Sequence, residues 1–546
     1  MTTSASPPTS ASPPTSASPP TSASPPTSAS PPTSASPPTS ASSPASAGGL
    51  PAAAGAGRDR YRATVAAVGC AGVMLPFSVT GAAVALPDMA ARLDASTDAA
   101  QWMLNAFNIT FAALPLAAGA LADRLGRRRV LLAGIALVGA LSLVVALAPS
   151  MAVVDAARAV QGCGAAAVLA AGAAVLAHST SGRRRRVAFG VLGTSFGTGL
   201  AVGPPAAGAL VQEGGWRAVF LLVAALAVPA YLCAVRAPES RAPGRAPIDL
   251  GGLGCFTAGL AALSFALVRA GGAGWTAPGT LLPLAGAALL VAAFAVVELR
   301  RGPRAMFDVR LFRRPEFLAV VCQPFTVTLG FVVLLVYLPA YLQGVGGRSV
   351  LTSGLLLLPL TVPVLLLPLP AGRLAAAFSV RTVLTGASAL IALGALLLVT
   401  VRGGAGWAAL TVPLLPFGAG VGLAFGVMDD AAVGTVPVER AGAAAGVFNT
   451  MRITGESVAV SGAAALLTTL TAAHLPGLPG GEAARLAARA VQGQVDPARR
   501  EALAAGFTGA LHVLGVVLAV LSAAGAVLTH RALRERGGRE SKARRG

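Results

Sequence analysis

Charge is scarce in this sequence, and its scarcity excludes a water-soluble fold. Only 11% of the 546 residues are charged, whereas 55% are hydrophobic, and the mean hydropathy is +0.72. An average soluble domain contains about 25% charged residues. A chain of this length with so little charge cannot cover its own surface in water, so lipid must cover it instead.

Acidic residues, lysine and patterned cysteines are also few. The 21 acidic residues are outnumbered by 41 basic ones, and the net charge of +20 is compatible with nucleic-acid binding. The arginines, however, stand in short clusters between apolar segments, which is typical of membrane proteins. The five cysteines lie within or beside apolar segments without metal-ligand spacing. We therefore expect no nucleic-acid partner, no metal site and no disulfide framework.

The first 57 residues form a tail of a different kind. Residues 3–38 are six perfect copies of Thr-Ser-Ala-Ser-Pro-Pro, which offer nothing to bury and lack many backbone donors. We predict that residues 1–57 are disordered. The tail lacks the basic start and apolar core of a signal peptide. A neutral repeat expansion is favoured over a binding tail.

From Arg58 onward, apolar segments of about 20 residues succeed one another, which is the length that crosses about 30 Å of hydrocarbon. The sequence therefore predicts an all-α polytopic membrane protein with fourteen transmembrane helices. The approximate spans are 64–87, 101–121, 130–149, 154–178, 188–211, 216–235, 250–269, 279–299, 317–342, 350–371, 382–401, 408–431, 443–470 and 505–529.

The basic residues predict how these helices are oriented. With the N-terminus inside, 30 lysines and arginines fall in cytoplasmic segments, nine in outer segments and two, Arg158 and Arg452, within spans. The positive-inside rule therefore places both termini in the cytoplasm. We expect the protein to lie in the inner (plasma) membrane. The longest outer loop, 471–504, contains a stretch at 482–492 that is predicted to form a short helix along the surface.

The first cytoplasmic loop contains an aspartate among arginines, with glycines at both ends: Gly119-Ala-Leu-Ala-Asp123-Arg124-Leu-Gly126-Arg127-Arg128-Arg129. Such a group can form ion pairs in one conformation and release them in another. The stretch resembles the signature loop of the major facilitator superfamily, G-x-L-A-D-R-x-G-R-[RK]. The resemblance implies a gate latch between two halves of the protein, formed by Gly119, Asp123, Arg124, Gly126, Arg127 and Arg128.

Arg158 stands early in the fourth span, where an arginine is costly and usually functional. In one interpretation it pairs with Asp155 and snorkels to the outer interface. In the other it is functional, because Arg158-Ala-Val-Gln161-Gly162 resembles the fourth-helix motif of the superfamily, which is linked to proton transfer.

The fifth span contains a pattern of small residues and proline at Gly199, Gly203, Pro204 and Gly208. Glycines allow helices to approach closely, and proline kinks a helix. The G-x-x-x-G-P-x-x-x-G form also resembles the antiporter signature of drug and metabolite exporters in the superfamily. This resemblance favours export over import.

Further matches extend from Val84-Ala85-Leu86-Pro87 to the thirteenth span and resemble the fourteen-helix drug:proton antiporter family. The resemblance implies a major facilitator fold, with the proton gradient as coupling ion, no other cofactor and a monomeric protein. The implied divisions are a six-helix half at 58–235, a two-helix insertion at 236–315, a second six-helix half at 316–530 and a basic cytoplasmic tail at 531–546.

The first helix departs from that family's pattern, L-D-x-T-x-x-N-x-A-L-P. Ser78 stands where the family has aspartate and Ala83 where it has asparagine, and serine cannot carry a proton at physiological pH. Either coupling uses other carboxylates, or coupling or substrate is altered.

Three other carboxylates are candidates for proton coupling, because ionisable groups inside a membrane mark ion pathways. Glu456 follows Arg452 by one helical turn, so the two form either a self-neutralised pair or a site where the carboxylate exchanges protons. Asp429 and Asp430 lie near the cytoplasmic end of the twelfth span and are either interfacial or part of the transport route.

Several polar residues within spans are candidates to line a substrate cavity, although each is also explained by a hydrogen bond between helices. They are Ser78, Thr80, Asn105, Asn108, Gln323, Thr326 and Asn449.

The sequence thus predicts secondary active export of a small cationic or amphipathic molecule, such as a drug, antibiotic or secondary metabolite, in exchange for protons. The site is expected near the membrane midplane, with alternating access. The alternative is a uniporter, or an exporter of an endogenous metabolite, lipid or amino acid without the usual proton coupling. We do not expect an enzyme, because the sequence shows no nucleophile–base pair, HExxH motif, CxxC motif or phosphate-binding loop.

Overall fold

All fourteen predicted spans are helical. The computed structural model describes residues 50–95, 97–241, 250–274, 276–301, 309–402, 404–437, 441–475 and 477–543. Residues 1–49 of the predicted tail lie outside this range. Contacts divide the chain into a unit of residues 1–53 and a unit of residues 54–546, and the following description concerns the second.

The described residues form twenty α-helices and no strand. The helices are α1 Leu50–Arg92, α2 Thr97–Ala113, α3 Pro115–Leu125, α4 Arg127–Ala146, α5 Met151–Ser179, α6 Gly182–Gly214, α7 Trp216–Val235, α8 Leu250–Ala273, α9 Pro278–Arg301, α10 Pro315–Val321, α11 Gln323–Gly344, α12 Val350–Leu356, α13 Leu358–Leu366, α14 Pro368–Phe378, α15 Val380–Leu397, α16 Trp407–Phe425, α17 Met428–Val433, α18 Ala441–Ala472, α19 Gly480–Val491 and α20 Arg500–Ala543.

Proline interrupts several spans. α2 and α3 form one span bent by 51° before Pro115, and α13 and α14 form another bent by 60° before Pro368. Proline lacks the backbone N–H and its ring clashes with the preceding turn, so it breaks or bends a helix. α6 continues as one helix through Pro204 and Pro205, and the kink predicted there stays a prediction.

The predicted multi-pass architecture is confirmed. By length and composition, 11 helices of the described chain are able to cross a membrane, or 13 if each bent pair is one span. The count reaches fourteen only with α8, whose shorter apolar segment, Gly251–Leu267, occupies the predicted seventh span. The surface helix predicted at 482–492 corresponds to α19.

The terminal helices extend beyond their predicted limits. α1 begins at Leu50, inside the predicted tail of residues 1–57, and α20 continues to Ala543, inside the predicted tail of residues 531–546. Proline in the first turn and a run of alanines, the best helix formers, explain the early start of α1.

Two large hydrophobic cores underlie the two halves. One is built mainly from α1–α7 and the other mainly from α10–α20. α8 and α9 pack against each other, and α8 also contacts α2 and α18. The halves meet where α3 packs on α18 and where α6 packs on α13 and α14. These contacts lie on the side that carries Arg124–Arg129 and Arg183–Arg186, called below the predicted cytoplasmic side.

α3 and α14 are equivalent elements of the two halves. Each has 11 residues, begins with proline after a break, and ends at a residue with positive φ, 118° at Gly126 and 101° at Ser379. The sequence from Pro115 aligns without gaps with that from Pro368, so that Gly119 corresponds to Gly372 and Asp123 to Ala376. This internal repeat was not predicted from the sequence.

Candidate functional site

Asp123 fastens α3 to the beginning of α18. Its two carboxylate oxygens accept hydrogen bonds from the backbone amides of Gly442 (3.2 Å) and Ala443 (3.1 Å). The guanidinium of Arg127, which is only 1% exposed, lies 2.9 Å from the same carboxylate. A carboxylate at the N-terminus of a helix also interacts favourably with the helix dipole. One side chain of the first half thus caps a helix of the second half.

Close approach of the backbones makes this cap possible. A Cβ atom on Gly442 would lie 2.7 Å from the Asp123 carboxyl carbon, and a Cβ on Gly119 would overlap the Gly442 carbonyl oxygen. Gly126 is required for a different reason, because its φ of 118° is one that L side chains rarely adopt.

Glu239, after α7, completes the arginine loop and was missed from the sequence. Its Oε1 accepts a hydrogen bond from the Arg128 backbone amide at 3.1 Å, and its Oε2 lies 3.8 Å from Arg128 Nε and 3.7 Å from Arg129 Nε. Two acidic residues, Glu239 and Asp249, stand among the arginines between the sixth and seventh spans, and they were the available signal. Arg124 was also predicted as a latch residue, but its side chain is exposed and forms no ion pair with the described residues.

A second link between the halves joins α6 to α17. Arg185 Nε donates a hydrogen bond to Asp430 Oδ1, and Arg185 Nη2 donates to the Asp430 backbone oxygen at 3.3 Å. The sequence predicted Asp430 as a candidate but not its partner, because four consecutive arginines, Arg183–Arg186, look alike.

Arg452 pairs with Asp429 rather than with Glu456. Its Nη2 lies 2.7 Å from Asp429 Oδ2, and both residues are buried. Arg452 and Glu456 share a face of α18 and attract each other, but the ion pair of Arg452 is with Asp429. Asp429 is buried within the protein, with only 6% of it exposed.

Aromatic rings from both halves surround the Arg452 guanidinium. Its carbon lies 5.3 Å from the ring centroid of Phe196 in the first half, and 5.8 and 5.1 Å from those of Phe425 and Phe448 in the second. Cation–π attraction supplements the ion pair at this position. The paired charge therefore lies where the two halves meet.

Glu456 lies at the middle of α18, one turn beyond Arg452. It is half-buried and forms neither a hydrogen bond nor an ion pair with the described residues. Because Asp429 holds Arg452, that arginine attracts the Glu456 carboxylate without forming an ion pair with it. A carboxylate in the middle of a transmembrane helix is a functional candidate by default, since burial without a partner is costly. Its chemistry suits reversible binding of a proton or a cation.

Arg158 is completely buried and does not snorkel to the surface. Its Nη1 donates to Gln161 Oε1 at 2.7 Å and to Ser78 Oγ at 3.2 Å, and its guanidinium lies 4.1 Å from the Phe107 ring centroid. It forms no ion pair with Asp155 or with another described carboxylate, so the predicted Arg158–Asp155 pair is wrong. Its partners are neutral, and its Nη2 has no hydrogen-bond partner in the described chain.

Ser78 therefore faces Arg158 from the position where the resembling family has aspartate. Gln161 extends this network, because its Nε2 donates to Ser142 Oγ at 2.7 Å and to the Val138 carbonyl at 3.1 Å. The network lies inside the first half and links α1, α4 and α5.

The glycines of the fifth span divide into two groups. A Cβ on Gly199 would lie 2.6 Å from the Val73 carbonyl oxygen, and one on Gly203 would overlap the Thr80 hydroxyl, so both allow α6 to pack on α1. Gly208 has open space around it, and Pro204 is exposed. Close packing thus explains Gly199 and Gly203, and an antiporter role for the pattern stays a prediction.

Two of the cavity candidates lie inside the second half. Gln323 is 1% exposed, donates to Ser388 Oγ at 2.8 Å and accepts from Thr529 Oγ1 at 3.0 Å, which joins α11, α15 and α20. Thr326 donates to the Gln323 carbonyl and packs against Gly525. For Gln323, the structure favours the hydrogen-bond interpretation.

The remaining cavity candidates differ in whether their side chains are already hydrogen-bonded within the protein. Asn449 is buried and donates to the Ala445 carbonyl at 2.8 Å, and Thr80 donates to the Pro76 carbonyl at 3.0 Å. Asn105 and Asn108 are half-buried on α2 and form no hydrogen bond with the described residues. Their amides are therefore the free polar groups among the predicted cavity residues.

Comparison with known proteins agrees with this geometry. Residues 68–460 match the sequence profile of the Major Facilitator Superfamily. The multidrug resistance protein Stp of Mycobacterium tuberculosis is 31% identical over 382 residues, which cover 69% of this chain and 70% of that protein. The puromycin resistance protein pur8 of Streptomyces alboniger is 35% identical over 403 residues, with coverage of 72% and 79%.

A solved structure shows the same fold. The proton:xylose symporter XylE, bound to 6-bromo-6-deoxy-D-glucose, matches 85% of this chain and 95% of its own with a TM-score of 0.57 at 14% identity. The profile match covers most of the described helices, and the two resistance proteins align with about 70% of the chain. The chain belongs to the major facilitator superfamily and is a multi-pass membrane transport protein.

Proposed function

We propose that this protein exports a small amphipathic or cationic drug, antibiotic or secondary metabolite in exchange for protons. It does so as a monomer in the plasma (inner) membrane with both termini in the cytoplasm. The observation that carries the proposal is Glu456, a carboxylate at the middle of α18 that forms no ion pair or side-chain hydrogen bond with the described residues. The two relatives named as resistance proteins favour this substrate class over an endogenous metabolite, lipid or amino acid.

Exchange follows from competition for one carboxylate. Glu456 cannot bind a proton and a substrate cation at the same time, so the arrival of one displaces the other. In the conformation described, Asp123 and Arg185 hold the two halves together on the predicted cytoplasmic side. Glu456 then exchanges its ligand with the outer side, and opening of the two links exposes it to the cytoplasm.

A continuous set of charges connects the exchange site to the second link. Arg452 lies one turn from Glu456 and binds Asp429, whose neighbour Asp430 binds Arg185. Both aspartates belong to α17, which has six residues. A change in charge at Glu456 acts on Arg452, and movement of Arg452 displaces α17 and weakens the contact between the halves. Such a network is the physical basis for coupling the two events.

Uptake into inverted vesicles with an imposed pH gradient tests the proposal, with ethidium as a fluorescent cationic probe. We expect gradient-driven uptake by the native protein and at least a tenfold loss in Glu456→Gln. Substrate counterflow, which needs no net proton movement, should persist in that variant. Glu213→Gln, at an exposed position near the end of α6, is the matched control and should behave like the native protein.

Two results would contradict the proposal. Native uptake that is indifferent to the pH gradient excludes proton antiport. Gradient-driven uptake by Glu456→Gln at the native rate excludes Glu456 as the coupling residue.

A further inference from the structure

Three arginines whose side chains have no partner among the described residues line a groove between α6 and α14 on the predicted cytoplasmic side. The groove has a volume of about 140 Å³, and its walls include Arg183, Arg186 and Arg373. None of the three guanidinium groups forms an ion pair or hydrogen bond with the described residues, whereas their neighbour Arg185 binds Asp430. Three like charges around one space repel one another unless an anion lies between them.

The internal repeat indicates what the groove lacks. In the first half, Asp123 supplies a carboxylate that neutralises Arg127 and binds the facing helix of the other half. The equivalent residue in the second half is Ala376, which lines the arginine groove with a methyl group. The facing helix is α6, and a Cβ on Gly372 would lie 3.1 Å from the Arg186 carbonyl oxygen. The backbone contact is thus repeated, but no described residue supplies the corresponding anion.

We propose that the phosphate of an anionic phospholipid, such as phosphatidylglycerol, occupies this groove. Arginine is well suited to phosphate because its fork of N–H donors matches the phosphate oxygens. Basic pockets beside transmembrane helices on the cytoplasmic face are suited to anionic headgroups.

Apolar side chains beside the arginines distinguish a lipid from a free phosphate. Val187 and Leu369 line the groove and are 37% and 44% exposed, and Phe378, at the end of α14, is 65% exposed. These side chains offer acyl chains a surface next to the charged site. The bound lipid ties α6 to α14 as Asp123 ties α3 to α18, and it therefore favours the conformation closed on this side.

Binding of dioctanoyl-phosphatidylglycerol to the purified full-length protein tests the proposal, with dioctanoyl-phosphatidylcholine and inorganic phosphate as reference probes. Native mass spectrometry gives the dissociation constants. We expect phosphatidylglycerol to bind at least tenfold more tightly than phosphatidylcholine. The triple variant Arg183→Gln, Arg186→Gln, Arg373→Gln should lose this preference.

Two further variants distinguish a specific lipid-binding site from a non-specific effect of positive charge and from misfolding. Arg236→Gln, Arg313→Gln, Arg314→Gln removes the same charge from exposed positions on the same predicted side and should retain native binding within twofold. Ala376→Asp keeps every arginine but places a carboxylate in the groove, so it should weaken phosphatidylglycerol binding at least fivefold.

The inference is overturned if the two triple variants lose binding equally, if both phospholipids bind alike, or if Ala376→Asp binds phosphatidylglycerol as the native protein does. The inference is also overturned if inorganic phosphate saturates the site and displaces phosphatidylglycerol at equal concentration. The groove would then be a site for a free anion. None of these measurements depends on transport, so the inference stands or falls separately from the proposed export.

Discussion

Arg158 and Arg452 are both buried, but other groups compensate their charges in different ways. Arg452 has a carboxylate partner in Asp429 and three aromatic rings around it. Arg158 has a hydroxyl, an amide and one aromatic ring. Removing one partner of a buried ion pair leaves an uncompensated charge, which is costlier than exchanging neutral partners. A carboxylate added beside Arg158 should therefore stabilise the protein, whereas loss of the carboxylate beside Arg452 should destabilise it.

Replacing Ser78 by aspartate should stabilise the protein. Ser78 Oγ is 3.2 Å from Arg158 Nη1, so a carboxylate there forms the ion pair that Arg158 lacks. We expect the melting temperature of the purified protein to rise by at least about 2 °C. Ser388→Asp is the control, because Ser388 is equally buried but is bonded to Gln323 rather than to an arginine. A fall in melting temperature for both variants would refute an uncompensated charge at Arg158.

Replacing Asp429 by asparagine should have the opposite effect. Arg452 then remains buried without a counter-charge, and we expect a loss of about 3–5 kcal/mol in the free energy of unfolding. The neighbouring Asp430 is partly exposed in its pair with Arg185, so Asp430→Asn should cost about 1 kcal/mol or less. Denaturant unfolding in mixed micelles measures both. Equal losses would mean that burial does not determine the strength of the two pairs.

At the scale of elements, glycines set how closely helices of opposite halves approach. Gly119 and Gly442 allow the backbones of α3 and α18 to meet, and Asp123 reaches the α18 amides only because of this proximity. The sequence predicted Gly119 through its motif. It did not reveal that Gly442 is the opposing residue, since a glycine in a membrane helix has many possible neighbours.

Gly442→Val should therefore open the predicted cytoplasmic side. Its side chain would displace the Asp123 carboxylate and separate α3 from α18. The distance between spin labels at positions 236 and 378, introduced in a cysteine-free background, is measured by double electron–electron resonance. It should be longer than in the protein without the Gly442 substitution. Gly462→Val is the control, because Gly462 lies on the same helix with nothing within 4 Å of a Cβ. Unchanged distances in Gly442→Val would show that this crossing does not control closure.

At the scale of the whole molecule, the multi-pass fold class and the positions of the helical spans could be predicted, and the partners of most charged residues could not. Hydrocarbon thickness imposes an apolar length on every span, so each span is visible in its own residues. Arg185 and Asp430 are 245 positions apart, and Arg185 is identical in type to its three neighbours. Arg452, the partner predicted for Glu456, pairs with Asp429, because α17 packs against α18.

Charge reversal across the two halves tests whether the Arg185–Asp430 link supports closure of the whole molecule. Arg185→Asp places a third acid beside Asp429 and Asp430, and Asp430→Arg opposes Arg185, so each change alone should lengthen the distance between the labels at Arg236 and Phe378. The double variant restores opposite charges and should recover most of the closed population, with a coupling energy of about 0.5–3 kcal/mol. Arg184→Asp combined with Asp430→Arg should recover nothing, because Arg184 lies over the Tyr61 ring and away from this pair. If both double variants behave alike, net charge rather than this ion pair holds the halves together.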